Sequence, residues 1–375
     1  MSQLRVRLKD VAKRIQYGYT ASASDDESIG PKFLRITDIV PDQIDWLNVP
    51  FCPIEENLFD KYALHSGDIV IARTGNTTGY AKLIREEQRA IFASYLIRVQ
   101  LDERKADPGF VGRLVESNAY KQFVNSQKGG AAQGNANAQV LTLFEFILPP
   151  LQIQHKIASI LSAYDDLIEN NRRRMALLEE SARLLYREWF VCLRFPGHAR
   201  TRITDGVPKG WCLTTLGEHL VLNYGKALKA EDRVDGDIPV YGSSGIVGTH
   251  DKALSEGPGI IVGRKGNVGS VYWSPTAFYA IDTVYFIAPD KSDLYLFHAV
   301  KHMHFINTDV AVPGLNRDMA YSRPLLLPSK TIQQNFLKVV SPVYEQIIKL
   351  DQLNQRLRTA RDLLLPRLMS GKIAP

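Results

Sequence analysis

Apolar residues in two stretches of the chain step by three and four positions, always returning to the same helical face. In the first stretch the face is Leu161, Tyr164, Ile168, Asn171, Met175, Leu178, Ala182, Leu185 and Trp189; in the second it is Val340, Val343, Ile347, Leu350, Asn354, Leu357, Arg361, Leu364 and Leu368. Strict alternation kept up over about four heptads predicts a coiled-coil seam rather than a helix laid on a sheet. Each Leu or Ile buried there contributes about 1.5 to 3 kcal/mol. The first helix should run from Gln152 to Phe190, roughly 55 to 60 Å at about 1.5 Å per residue. Its counterpart should run from Thr331 to the residue before Pro366, which should end it, and Pro342 should kink it or delay its start. Asn171 and Asn354 interrupt the two seams; a lone buried Asn costs stability but fixes register and partner number, whereas an Asn facing solvent does neither.

The two stretches are copies. Pro149, Ile153, Gln154, Ile157, Ile168, Leu178, Leu184 and Leu185 recur 179 positions later as Pro328, Ile332, Gln333, Phe336, Ile347, Leu357, Leu363 and Leu364. Outside the helices the repeat is weaker: Tyr17-Gly18 answers Tyr224-Gly225, Arg73-Thr74-Gly75-Asn76 answers Arg264-Lys265-Gly266-Asn267, and Asn137 answers Asn316. A repeat at half the chain length marks a tandem duplication whose halves should be related by a pseudo-dyad. Because the globular parts have diverged while the helices kept their register, variable reading heads on a fixed ruler are the natural division of labour. An antiparallel helix pair would put those heads at opposite ends of a rod long enough to span successive major grooves, about 34 Å apart.

Short β-branched runs, Asp68 to Ala72, Phe92 to Leu101 and Val284 to Ala288, mix with helical patterns at Pro108 to Gln127 and Ser292 to Ile306. The fold class expected is therefore α+β: two mixed α/β domains, residues 1–150 and 196–330, joined by two long antiparallel coiled-coil helices, residues 151–195 and 331–375, in a pseudo-twofold tandem repeat.

Composition narrows the setting. Hydrophobic content of 45% and charged content of 23% are ordinary for a globular protein. No apolar run approaches the roughly 18 residues of a membrane span, and MSQLRVRLKD lacks the apolar stretch of a signal peptide, so a cytoplasmic location is expected. A net charge of +6 permits a nucleic-acid partner without demanding one. Residues 1–150 carry 18 basic against 18 acidic side chains and residues 196–330 carry 14 against 13, so any binding to DNA requires basic groups gathered on one face. Cys52, Cys192 and Cys212 show no paired metal-ligand spacing and read as reduced, mostly packing thiols.

Reading base edges takes Arg, Lys, Asn, Gln, Ser or Thr carried on rigid turns. Arg73, Thr74, Asn76 and Thr77 lie in a polar glycine loop after an apolar run, and Arg264, Lys265 and Asn267 are their counterparts; a plain glycine turn between strands is the competing reading. Lys128, Gln133 and Asn135 belong to an amide-rich stretch of small residues suited to a surface loop that orders on a partner. Arg317 belongs to its twin. Tyr241, Ser243 and Ser244 occupy a turn-rich segment. Arg35 and Thr37 lie in FLRITDI, read as a strand, where an ion pair from Arg35 to Asp38 is the rival. Arg172, Arg173 and Arg174 could touch phosphate, although a charge run on a coiled coil is ordinarily a solvated face.

Catalytic signatures are missing. There is no NPPY-like tetrapeptide, no glycine-rich cofactor loop after a strand and no GxxxxGK[ST] phosphate loop; GKALKA at Gly225 has neither the upstream Gly nor the Ser or Thr. His298, His302 and His304 lack a further carboxylate or Cys ligand at metal spacing, so no metal is expected.

Five strings carry a family resemblance: RDLLLPRLMSGKI near the end, LPPLQIQHKIASIL and its twin LPSKTIQQNFLKVV, FLRITDI, and IPVYGSSGIVG. Together with the duplication they make the whole chain resemble the specificity subunit of type I restriction-modification systems. The resemblance implies two target-recognition domains, each reading one half of a split, asymmetric double-stranded DNA site. It implies two methyltransferase subunits docked beside an antiparallel coiled coil, with motor-nuclease subunits added for restriction. This chain would hold no cofactor: S-adenosylmethionine would belong to the methyltransferase, and ATP and magnesium to the restriction partner. Two rivals are a protein scaffold with no DNA role, unaffected by Arg73→Ala or Arg264→Ala, and a self-sufficient methyltransferase or nuclease, which would bind a methyl donor alone.

Overall fold

The computed structural model describes residues 4–127, 137–303, 305, 314–369 and 371–375. The chain divides into two compact units, Met1–Asn170 with Leu353–Pro375, and Asn171–Gln352.

The first unit opens with β1 (Leu4–Arg7), α1 (Leu8–Val11), β2 (Ala12–Tyr17), β3 (Lys32–Leu34), α2 (Ile36–Ile39) and α3 (Glu56–Tyr62). It continues through β4 (Ile69–Ala72), β5 (Ala81–Leu83), β6 (Ala90–Phe92), β7 (Leu96–Leu101), α4 (Pro108–Glu116), α5 (Asn118–Gln127), α6 (Ala138–Leu141) and β8 (Glu145–Leu148), and enters the long helix α7 (Leu151–Tyr186). An antiparallel sheet of order β2-β7-β4-β5 stands beside a parallel pair β3-β6, while β1 and β8 close the chain ends antiparallel.

The second unit repeats that plan. After a small hairpin of β9 (Ile203–Thr204) and β10 (Val207–Pro208) come β11 (Cys212–Thr215), α8 (Leu216–His219), β12 (Asn223–Tyr224), β13 (Ile238–Gly242), β14 (Gly245–His250), β15 (Gly259–Gly263), β16 (Val271–Ser274), β17 (Tyr279–Ala280) and β18 (Val284–Ile287). Then follow α9 (Leu294–His302), α10 (Arg317–Tyr321), β19 (Pro324–Leu327) and the second long helix, α11 (Lys330–Met369). The sheet order β12-β18-β15-β16 matches β2-β7-β4-β5, the parallel pair β13-β17 matches β3-β6, and β11-β19 matches β1-β8. The α+β tandem repeat expected from the sequence is the fold observed.

Within each unit the two long helices run antiparallel. In the first, Asn354 Nδ2 donates to the Ile168 carbonyl at 3.3 Å, Arg361 Nη1 donates to Asp165 at 2.7 Å, and Leu368 shares a core with Leu161 and Ile157. In the second, Phe336 packs edge-on against Tyr186 and Phe190. No seam residue is exposed, and Asn171 and Asn354 are both buried. Each helix also lies on its own unit's core: Ile157 and Leu161 join Phe110 and Val111, while Phe336 and Val340 join Tyr295 and Phe297.

A glutamine common to both copies latches helix to domain. Gln154 accepts from the Asp107 amide at 2.8 Å and donates to the Pro149 carbonyl at 2.8 Å, while Asp107 caps α4 by accepting from the Phe110 amide at 2.7 Å. Gln333 donates to Asp293 at 2.7 Å, and Asp293 caps α9 through the Leu296 amide at 2.7 Å. In both units a helix-borne glutamine thus bonds an N-cap aspartate, through its backbone amide in the first and its carboxylate in the second.

Several sequence expectations need correction. Helix α11 passes through both prolines and ends at Met369, not before Pro366. Pro342 and Pro366 are exposed, as are Lys338 and Asp362, whose carbonyls lose a partner, and Leu368 and Met369 still pack on the first core beyond the second proline. Helix α7 gives way at Arg187 to a π-turn through Val191 that leaves Phe190 buried against Trp211. The single helix expected over Pro108 to Gln127 breaks at Ser117, whose hydroxyl donates to the Leu114 carbonyl at 2.6 Å. FLRITDI is a strand only to Leu34 and then turns into α2. Of the thiols only Cys52 is packed; Cys192 and Cys212 are exposed.

The joint between helix and domain has diverged in chemistry. Asp165 accepts from Arg85 at 2.7 Å, from Arg361 at 2.7 Å and from Arg113, itself buried. Burial alone would raise this carboxyl, but the Arg113 hydrogen bond and the charges of Arg113 and Arg85 outweigh it and hold it at about 2. Its repeat equivalent, 179 positions on, is Tyr344, whose hydroxyl stands 3.3 Å from Nε2 of the buried His298. Burial pushes His298 down to about 3.

Two acid responses follow. A depressed carboxylate stabilises above its unfolded value of 3.8 and loses that contribution as pH falls toward 2, a term of about 2 kcal/mol. A histidine kept neutral costs stability as soon as the unfolded chain can take the proton, so the second unit weakens as pH falls below 6.5. In urea titrations, Asp165→Ala should lose about 3 to 5 kcal/mol at neutral pH, because Arg113 is left buried and unpaired, with the gap narrowing toward pH 2. A gap constant over that range would show that the ionised carboxylate is not its source. His298→Phe should flatten the decline between pH 6.5 and 4 without touching the lower step.

Candidate nucleic-acid interface

Each unit builds the same edge from a tyrosine, a glycine and an arginine. Where β4 ends, the Arg73 amide donates to the Tyr95 carbonyl at 3.1 Å and Nη1 donates to the Ser94 carbonyl at 3.3 Å. This lays the guanidinium 4.9 Å from the ring centroid of Tyr17, the last residue of β2. Where β15 ends, the Arg264 amide donates to the Thr283 carbonyl at 2.9 Å and Nη1 to the Asp282 carbonyl at 3.1 Å. Its guanidinium lies 5.1 Å from the ring of Tyr224, at the end of β12. Tyr17 and Tyr224 are 44% and 49% exposed, so each ring holds a cation while keeping a wet side. The glycines after them admit a neighbouring strand: a Cβ would sit 2.2 Å from the Ala93 carbonyl oxygen at Gly18 and 2.0 Å from that of Ile281 at Gly225.

The second edge carries one cation more. Arg317, the first residue of α10, also lies 5.1 Å from the Tyr224 centroid, held there because Asn316 caps the helix through the Asp318 and Met319 amides. In the first unit Ala138 stands at the equivalent place, and its amide donates to the Tyr17 hydroxyl at 3.2 Å.

A glycine turn follows each arginine. Gly75 and Gly79 take φ of 70° and 92°, and a Cβ on Gly79 would meet Val124 at 2.7 Å, so both positions need glycine. Thr77 and Thr78 donate their hydroxyls back to the carbonyls of Thr74 and Gly75, which stiffens the turn and leaves Asn76 exposed at its tip. The other turn has Gly266 and Gly269 at φ 77°. Ser243 braces it: its Oγ accepts from the Asn267 amide at 3.4 Å and its carbonyl accepts from Ser270 Oγ at 2.6 Å. Lys265 and Asn267 remain exposed.

The remaining candidates scatter. Arg35 is spent on Asp38, donating from Nε at 3.1 Å and from Nη2 at 3.0 Å, an ion pair that raises the guanidinium; Thr37 is exposed on α2. Tyr241 is a core residue, edge-on to Phe278, whereas Ser244 is exposed. Lys128, Gln133 and Asn135 lie outside the described residues, as does His304. His298 is stacked against Tyr186 in the core, and His302 is tilted against the same ring. Among the described residues no group of His, Cys, Asp or Glu is placed to hold a metal ion, and no helix is long and apolar enough to cross a membrane. Tyr17 and Tyr224 were not among the sequence candidates, although the repeated Tyr-Gly pair was the signal for them.

The sequence profile of the type I restriction modification DNA specificity domain matches residues 5–180 and 208–359, one Tyr–Arg edge in each segment, and the chain belongs to this family. The MjaIX specificity subunit of Methanocaldococcus jannaschii is 24% identical over 294 residues, covering 69% of this chain and 68% of the relative. The HindI specificity subunit of Haemophilus influenzae is 22% identical, covering 84% and 88%. The S subunit of a type I restriction-modification system from M. genitalium has the same fold, with a TM-score of 0.54 at 17% identity over 98% of this chain and 96% of that one.

Since a backbone oxygen cannot swing aside, Gly18→Ala and Gly225→Ala should each destabilise their unit by about 1 to 3 kcal/mol. Thermal melting of the two variants measures this; unchanged melting would mean that the strand does not approach so closely.

Proposed function

We propose that this chain reads DNA for a type I restriction-modification complex, with residues 1–150 and 196–330 as recognition domains for the two halves of a split, asymmetric site. The helical segments 151–195 and 331–375 are proposed to set the number of unspecified bases between the halves, with buried Asn171 and Asn354 fixing their register. The observation that supports this reading is the recurrence of one Tyr–Arg edge beside two glycine turns of different sequence. Two heads that hold the same polymer but read different bases need a shared fixture and private loops. Near-neutral domains can bind a polyanion only through such focused groups.

Base reading falls to exposed turn residues, Asn76 in one domain and Lys265 and Asn267 in the other, where a good bidentate contact discriminates by about 1 to 3 kcal/mol. Thr74, Thr77, Ser243, Ser244 and the segment holding Lys128, Gln133 and Asn135 complete the proposed surface. Methylation and cleavage belong to partners: two methyltransferase subunits holding S-adenosylmethionine, and motor-nuclease subunits holding ATP and magnesium.

Co-expression with the partner methyltransferase in a methylation-free host, followed by mapping of every modified adenine, should return one split motif with a fixed gap. Exchanging residues 1–150 for those of a relative should change one half only, and inserting a heptad in α7 should lengthen the gap with both halves kept. No modification while the two proteins co-purify, or an exchange that alters both halves, would count against the reading.

A further inference from the structure

We infer that Tyr17–Arg73 and Tyr224–Arg264–Arg317 grip the phosphodiester backbone and do not read bases, an assignment that rests on the DNA-reading function proposed above. The first ground is equivalence. The two edges share strand position, carbonyl partners and the ring beneath the cation, although the loops beside them have diverged. A fixture that is the same in both heads carries no information about which half-site each one reads.

The second ground is donor geometry. Guanine recognition by arginine takes two parallel N–H groups aimed at O6 and N7. Arg73 has Nη1 committed to the Ser94 carbonyl, and its Nε is buried, out of reach of any base edge. Arg264 has Nη1 committed to the Asp282 carbonyl in the same way. What remains of Arg73 is chiefly the Nη2 corner of a cation fixed over a ring, which suits one phosphate oxygen. The half-exposed rings offer a flat apolar side on which a deoxyribose can rest. The third ground is that the domains are close to neutral, so that losing one of these cations removes a large part of the local attraction.

The test uses the full chain in complex with its methyltransferase, titrated against labelled duplexes carrying the mapped motif or a scrambled one, over a series of salt concentrations. Arg73→Ala should weaken both duplexes by the same factor, about eightfold near 0.1 M salt, and reduce the slope of log affinity against log salt by about 0.9. Arg264→Ala and Arg317→Ala should each do likewise. Arg73→Lys should keep the slope and leave the methylated motif unchanged, since a phosphate accepts a point charge where a guanine edge requires the fork. Should Arg73→Ala lose its structure by circular dichroism, the lysine variant decides the matter alone. A motif relaxed at one base by Arg73→Lys, or a drop confined to the specific duplex, would overturn the anchor assignment and leave the DNA-reading function standing. A wild-type complex that binds both duplexes equally would overturn both.

Discussion

The rest of the structure depends on helix segments that cross between the two halves of the sequence. The first unit combines residues 1–170 with residues 353–375, and its core is closed by the far end of the chain: Leu368 enters beside Leu161 and Ile157, and Arg361 reaches Asp165 across 196 positions. The second unit likewise takes Ala182, Tyr186 and Phe190 from the end of the first long helix to cover Phe336 and Val340. Neither sequence half contains everything its unit buries. Contacts of such separation cost loop-closure entropy before they return anything. That sharing also explains why the helices kept their spacing: a slip in one copy displaces side chains from a core that the other copy finishes.

Duplication copied an architecture, and the chemistry drifted afterwards. The glutamine latch is intact in both copies because it serves the backbone amide or the carboxylate of an N-cap, a demand that does not change with neighbouring side chains. The contact about three helix turns further in has no such anchor. There Asp165 gathers three arginines in one unit and Tyr344 meets a neutral histidine in the other. A buried carboxylate is tolerable only with cations around it, so the first solution had to recruit Arg85 and Arg113 from the domain and Arg361 from the opposing helix together. That recruitment accounts for a charged residue in the apolar seam: Arg361 sits where the other copy has Ala182.

What was legible in the sequence follows from how local each cause is. The 3.5-residue period and the 179-residue repeat gave both long helices and the tandem fold, because burial of one helix face leaves a mark on every turn. Pro366 misled because its effect depends on which face of the helix it occupies, and here it and Asp362 lie on the exposed face while Leu368 holds the helix down. FLRITDI misled because Asp38 bonds back to the Arg35 amide at 2.8 Å and starts a helix where β-branched residues suggest a strand. The glycine turns were visible as Arg-x-Gly-Asn. Tyr17 and Tyr224 were visible only as repeated Tyr-Gly pairs, since nothing in one sequence tells which ring an arginine 56 or 40 residues away will cover.

The two edges, finally, are alike without being equal. In the first unit the Tyr17 hydroxyl is engaged by the Ala138 amide, so one cation and one neutral donor hold the ring. In the second, the residue at the same place is Arg317, and two guanidinium groups lie at 5.1 Å from one ring centroid. Like charges that share one ring repel to a degree set by their separation and by the water between them. Hydrogen bonding of Arg264 to the Asp282 carbonyl and the ring face of Tyr224 offset part of that repulsion, and water screens the rest in the free protein. On the anchor assignment proposed above, a phosphate at this edge would meet two cations where the other edge offers one. The second edge would then gain more from the backbone than the first, although residues 1–150 and 196–330 carry nearly the same net charge.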